Sequence, residues 1–313
     1  MDIVLLFPGQ GSQKPGMGRD LAESFPAARA VFDRVDLALG VPLSPLMFEG
    51  PADELTLTHN AQPALLAHGA AVWALVHHAF DGRVRAGAGH SLGEFTAYHA
   101  AGALDLASAA RLVRRRGELM LQTGEARPGA MAALLGDTNR PIEEICAEAT
   151  AEAGEVVPAN YNSPGQLVIS GEVAGVERAM ELAKAAGVKR AVRLNVSGAF
   201  HSPLMAPALE GLRTALDEAG MTDAAVPVVA NVNAEAVTDA ARARELLARQ
   251  LVSPVRWTEV VQALAASHPD ALFVEMGPGS VLAGLVRKIA PGIETATCGT
   301  AAEVEALLAR AAA

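Results

Sequence analysis

The run Ile3-Val4-Leu5-Leu6-Phe7, ended by Pro8-Gly9, constrains the fold more than any other stretch of the chain. Five consecutive apolar residues without alternation suit a strand covered on both faces, and such strands belong to parallel sheets sandwiched between helices. The loop Gly9-Gln10-Gly11-Ser12-Gln13 follows, and its glycines let backbone N–H groups approach a ligand closely. It lacks the Lys-Ser/Thr ending of a phosphate loop and the spacing of a dinucleotide fingerprint, which argues against nucleotide binding. With 313 residues and 51% hydrophobic content, the chain can bury the core that such a sheet requires.

Alternation of strand and helix continues from there. Apolar residues recur at helical spacing over 25–39 and stop at Gly40, and a second helix is expected over 63–80. A strand over 83–87 leads into Gly89-His90-Ser91-Leu92-Gly93-Glu94, followed by helix-like segments at 95–101 and 106–122. After Pro128-Gly129 the expected order is strand 131–135, helix 141–153, strands 156–160 and 166–170, helix 173–186 and strand 190–196. That is a βαββαβ unit. Helix 203–219, strand 226–230, helices 240–251 and 258–266, and strand 272–275 then resume the first pattern. The expected architecture is a large α/β-hydrolase-like domain with a mainly parallel sheet, formed by 1–125 and 196–313. A small ferredoxin-like βαββαβ subdomain over 126–195 is inserted in it.

Composition removes several classes. A net charge of -10 argues against nucleic acid, whose phosphates need a basic face. No stretch reaches the roughly 18 apolar residues of a membrane span, and the start of the chain lacks the basic flank and long apolar region of a secretion signal. A cytoplasmic monomer is expected, with Cys146 and Cys298 as free thiols. No metal or redox cofactor is expected.

The chemistry concentrates in three places. Gly89-x-Ser91-x-Gly93, between a strand and a helix, has the form of a nucleophile elbow, in which a strained turn lifts a serine hydroxyl into open space beside free helix N–H groups. Serine needs a base, and among eight histidines His201 is the candidate because it lies where a strand gives way to a helix. The elbow turn directs His90 away from the serine. Arg114-Arg115-Arg116 point in three directions on a helix, so at most two face the site, and an arginine there can hold a carboxylate through paired hydrogen bonds. Spacing alone does not choose among them.

Pro8-Gly9-Gln10-Gly11-Ser12-Gln13, Gly89-His90-Ser91-Leu92-Gly93-Glu94, Arg116-Gly117, Ala199-Phe200-His201-Ser202 and Gln250-Leu251-x-x-Pro254-Val255-x-Trp257 together resemble the malonyl-CoA:acyl carrier protein transacylase family, in order along nearly the whole chain. The segments 58–64 and 160–166 also resemble family segments near the acyl site, which brings in Gln62 and Asn162 as substrate-binding candidates. The resemblance implies a Ser91–His201 dyad in which the backbone carbonyl of Gln250 orients the histidine. It implies an oxyanion hole from the N–H groups of Gln10 and Leu92, and it selects Arg116 as the group that grips malonyl. Phe200 is bulky where related methylmalonyl-taking domains carry a smaller residue, which favours malonyl. The implied reaction is ping-pong transfer of malonyl from coenzyme A to the phosphopantetheine of acyl carrier protein, in fatty acid synthesis, with no cofactor. Lys184, Lys189 and Arg190 are candidates for docking that acidic partner. The rivals are an α/β-hydrolase-type esterase or thioesterase, with His268 pressed into service late in the chain, and a polyketide trans-acting acyltransferase of the same family.

Overall fold

The computed structural model describes residues 1–196 and 198–313. Ten strands lie among them: β1 (Ile3–Phe7), β2 (Val84–Gly89), β3 (Gly129–Leu135), β4 (Val156–Ser163), β5 (Gln166–Glu172), β6 (Arg190–Arg193), β7 (Val228–Val229), β8 (Ala236–Val237), β9 (Leu272–Met276) and β10 (Thr295–Cys298). One sheet has the order β10-β9-β1-β2-β7-β8, the other β4-β5-β3-β6. The first is parallel except for β8, and the second is antiparallel throughout.

β1 lies inside the parallel sheet with every residue buried, as its unbroken apolar run requires. Ile3, Leu5 and Phe7 join the core that includes Phe32, Leu65 and Val113 on one face. Val4 and Leu6 join Trp257, Val260 and Val286 on the other. The antiparallel sheet has the expected βαββαβ order, and the helices Ile142–Ala153 and Val173–Ala185 pack together over a core of its own. β4 is also tied to the segment before the helix Trp257–Ser267, where Tyr161 N donates to Val255 O at 2.9 Å and Val255 N donates to Ala159 O at 2.8 Å.

Several elements differ from their expected bounds for identifiable reasons. Proline suits a first helical turn, hence the expected start at Pro63, but the helix runs Thr58–Val76. Pro63 therefore leaves the carbonyl of His59 without its helical N–H partner, and Arg114 Nη1 donates to that oxygen at 3.2 Å instead. The strand expected over 226–230 shrinks to Val228–Val229 because Pro227 cannot donate to a ladder. The chain then turns through Ala234, at φ 55°, and returns as β8, which no apolar run announces. β10 is likewise silent in the sequence, being four mostly half-buried residues, Thr295-Ala296-Thr297-Cys298.

The elbow depends on two glycines. A Cβ on Gly93 would overlap the carbonyl of Phe7, and one on Gly89 would overlap the backbone of Gly93. Their absence lets the helix Leu92–Ala100 seat against the ends of β1 and β2. Gly93→Ala should therefore cost about 1–3 kcal/mol, as overpacking does in a filled core. Urea unfolding of the variant at unchanged slope, with a lowered midpoint, is the expected outcome.

Candidate active site

Ser91 sits on the turn between β2 and the helix Leu92–Ala100 at φ 50° and ψ -105°. That backbone is strained by about 1–3 kcal/mol and needs to be held. Asn231, fully buried after β7, holds it from both sides. Its Oδ1 accepts from Ser91 N at 2.7 Å, and its Nδ2 donates to Gly89 O at 2.8 Å.

His201 comes from the turn before the short helix Pro203–Ala208, whose first turn Ser202 caps through Leu204 N. His201 Nε2 lies 2.8 Å from Ser91 Oγ, and Nδ1 lies 2.9 Å from the carbonyl oxygen of Gln250. A carbonyl only accepts, so Nδ1 carries the hydrogen and Nε2 is free to receive one from the serine. Gln250 is the last residue of the helix Ala240–Gln250. Its carbonyl is one of the four that a helix end leaves without an internal partner, and the negative end of the helix dipole faces the imidazole. This carbonyl stands where an aspartate stands behind the histidine of a triad. Burial, and then the charge of Arg116, push the imidazole down to about 3.

Of the three consecutive arginines only Arg116 turns inward. Arg114 and Arg115 pair with Glu118 on the partly exposed face, whereas Arg116 is 1% exposed. Gly117 permits this, because a Cβ there would come within 2.6 Å of His59 Cα and force apart the two helices that carry Arg116 and Gln62. Arg116 Nη1 donates to Gln62 Oε1 at 2.8 Å, and Nη2 donates to Gln250 Oε1 at 2.9 Å and to Ser91 Oγ at 3.1 Å. Its Nε has no partner among the described residues, and the guanidinium packs over the Phe95 ring at 5.3 Å. All of these contacts are to neutral groups. A buried cation so placed has donors to spare for an anion beside the serine hydroxyl. Burial lowers its pKa to about 10, which leaves it charged at neutral pH.

A cavity of about 300 Å³ opens over these groups, lined by Gln10, Leu92, Phe200 and the apolar side chains of Met120, Met131 and Val168. Gln62 and Asn162 do not line it. Gln62 stands behind Arg116, its own Nε2 donating to Met120 Sδ at 3.3 Å, and Asn162 Oδ1 stands behind His90 Nε2 at 2.8 Å. Asn160, two residues earlier on β4, faces the cavity. His268 is at the opposite end of the sheet, beside Asp2 and Arg85, where it has no access to Ser91.

The acyl transferase domain family matches residues 4–305. Malonyl CoA-acyl carrier protein transacylase of Bacillus subtilis is 48% identical over 299 residues, 94% of this chain and 92% of its own. The chain belongs to the malonyl CoA-acyl carrier protein transacylase family. Its fold matches a crystal structure of acyl-carrier-protein-S-malonyltransferase from Bartonella henselae with a TM-score of 0.94 at 45% identity, covering 100% of both chains. It also matches a malonyl-transacylase solved in complex with a type II PKS acyl-carrier protein, with a TM-score of 0.92 at 40% identity, covering 99% of this chain and 100% of that one. The protein is an acyltransferase, and its relatives share the two-sheet α/β fold across their whole length.

Sequence reasoning passed over Asn231 and Glu94. Glu94 stands within the elbow motif, fully buried on the first turn of the helix. Asn231 sits in Val229-Ala230-Asn231-Val232, where an amide amid apolar residues just past a strand was the available signal. Among the described residues no group of acids, histidines and cysteines could hold a metal ion, and no helix is long and apolar enough to cross a membrane.

The depressed pKa of His201 has a sign that can be tested. Its folded value lies below the unfolded value of about 6.5, so stability is complete above that pH and is lost as pH falls toward about 3. Between pH 7 and 4.5 the urea midpoint of the wild type should fall more steeply than that of His201→Gln. Equal slopes would show that the imidazole titrates normally.

Proposed function

We propose that this acyltransferase moves malonyl from its coenzyme A thioester to the phosphopantetheine thiol of an acyl carrier protein, through a malonyl ester on Ser91. The observation that carries this reading is the buried Arg116 guanidinium, 3.1 Å from the Ser91 hydroxyl and hydrogen-bonded, among the described residues, to neutral groups. A malonyl unit joined to Ser91 ends in a carboxylate, the anion for which such a cation is suited.

In the first half-reaction His201 Nε2 takes the proton of Ser91 Oγ as that oxygen attacks the thioester carbonyl. The N–H groups of Gln10 and Leu92 stabilise the oxyanion; Leu92 begins a helix, so its N–H has no intrahelical acceptor. Collapse expels the coenzyme A thiol, which receives the proton from His201. The carrier-protein thiol then attacks the ester by the same steps in reverse, and the kinetics are ping-pong. The product is a malonyl unit on carrier protein, for fatty acid synthesis.

Arg116 supports selectivity in two ways. An acetyl group leaves the guanidinium's spare donors unmet in a buried site, at a cost of about 1.5–3 kcal/mol. Malonyl sets a carboxylate directly against Arg116, whose charge adds to burial in depressing His201, and so favours a stronger base when the right substrate is bound. Phe200, 5% exposed beside His201, narrows the cavity against a branched acyl chain.

In this reading residues 126–195 act as a separate subdomain over the acyl site. Its exposed Lys184, Lys189 and Arg190, unpaired among the described residues, offer positive charge to an acidic carrier protein. Reversing the charge of Lys189 and Arg190 should raise the KM for carrier protein at low salt while leaving Ser91 acylation by malonyl-CoA unchanged. An unchanged KM would remove these residues from the docking surface.

Intact-protein mass spectrometry after brief exposure to malonyl-CoA or acetyl-CoA tests the chemistry. Wild type should gain a malonyl adduct and little acetyl adduct, and Ser91→Ala should gain neither. Arg116→Ala should lose about 10- to 150-fold in malonyl acylation, the worth of one charge-assisted contact, and far less with acetyl-CoA. Thioester hydrolysis with no adduct on wild type would point to an esterase instead.

A further inference from the structure

We infer that Glu94 is the counter-charge of Arg116, and that it takes up a proton when a malonyl carboxylate occupies that guanidinium. The inference rests on the proposed role of Arg116 as the carboxylate-binding group.

Glu94 is fully buried behind the elbow. Its Oε2 accepts from Asn231 N at 3.1 Å and from Gln250 Nε2 at 2.8 Å, while Oε1 is buried without a partner among the described residues. The same Gln250 amide accepts from Arg116 Nη2 at 2.9 Å through its Oε1. One side chain thus bridges the acid and the base, and both are held close to Ser91, whose backbone oxygen also accepts from Gln250 Nε2 at 3.0 Å.

The groups around Glu94 leave few ways to balance charge. The helix Leu106–Ala126 supplies Arg116, the helix Ala240–Gln250 supplies the neutral Gln250, and the chain after β7 supplies the neutral Asn231. Tyr98, one turn along Glu94's own helix, has a buried hydroxyl without a partner among the described residues and is held protonated by burial. His201, beyond Ser91, is held neutral. Arg116 and an ionised Glu94 therefore cancel in the free enzyme. A malonyl carboxylate brings a second anion to the single cation, and two buried anions cannot both be compensated by it. Oε1 is the atom that receives the proton, because an unpaired neutral hydroxyl costs less to bury than an unpaired anionic oxygen. Burial already raises the carboxyl to about 7, against the pull of Gln250, Asn231 and Arg116. Neutralising Arg116 removes part of that pull, so the proton comes from bulk water near neutral pH and returns there when the acyl group leaves.

Proton uptake and malonyl affinity must then be linked in both directions. The test uses Ser91→Ala protein, which binds thioesters without acylation, titrated calorimetrically in two buffers of different ionisation enthalpy. At pH 7.5 malonyl-CoA should take up roughly 0.5–0.8 proton more than acetyl-CoA, the share of a carboxyl of that pKa that is ionised beforehand. Its affinity should fall roughly tenfold from pH 6.5 to 8.5, with that of acetyl-CoA as the control for the coenzyme's own phosphates. Ser91→Ala/Glu94→Gln keeps the shape and should lose both effects. Tighter binding of malonyl-CoA without extra proton uptake, or with uptake that survives Glu94→Gln, would overturn the role of Glu94 and leave Arg116 in place. Equal affinity for the two thioesters would overturn both. Absence of extra proton uptake on protein that retains Glu94 overturns its role even where the double variant does not fold.

Discussion

The structure depends on keeping one arginine charged while it is almost wholly buried. Arg116 is 1% exposed and makes its hydrogen bonds to a glutamine from each of two helices and to the serine hydroxyl. Isolating a cation in this way is unfavourable unless its donors are met, and the surrounding groups are arranged to meet some of them. Gly117 lets two helices close until Gln62 reaches it, Met120 sulfur orients that glutamine, and Gln250 bridges it to the buried acid of the elbow. What the protein leaves unmet, at Nε, is the capacity a ligand can use.

The second constraint is the strained turn at Ser91. The parallel sheet supplies two strand ends to carry it, two glycines allow the helix to pass close by, and Asn231 clamps the backbone on either side of the strain. Gln250 ties the turn to the arginine cluster, since its side chain donates to Ser91 O while its main chain receives from His201. The proposed nucleophile, base and carboxylate-binding cation are thereby fixed by one residue at one helix end.

Much of this was legible in the sequence. The unbroken run Ile3–Phe7 announced a doubly covered parallel strand, and the change of rhythm after Pro128-Gly129 announced a βαββαβ unit, because both signals come from which faces must be buried. Ser91, His201 and the choice of Arg116 were readable only from motifs taken together, and the structure places all three around one hydroxyl. The positions of Gln62 and Asn162, one shell behind the cavity, were not readable, since a sequence gives a residue's neighbours on the chain and not the direction of its side chain. Asn231 and β8 left only faint signals for a related reason. Neither repeats with a period: the contacts of Asn231 reach residues more than a hundred positions away, and β8 is two residues long, paired with the equally short β7.

The residue that orients His201 contributes a peptide carbonyl and not a carboxylate. No single substitution of a side chain can delete that acceptor, and it has no proton of its own to gain or lose. The proposed dyad is thus shielded from a class of inactivating mutation to which an aspartate-based triad is open. Its failures must come instead from movement of the helix end, so inactive variants of this protein should map to the packing of residues 240–250 as well as to the reacting groups.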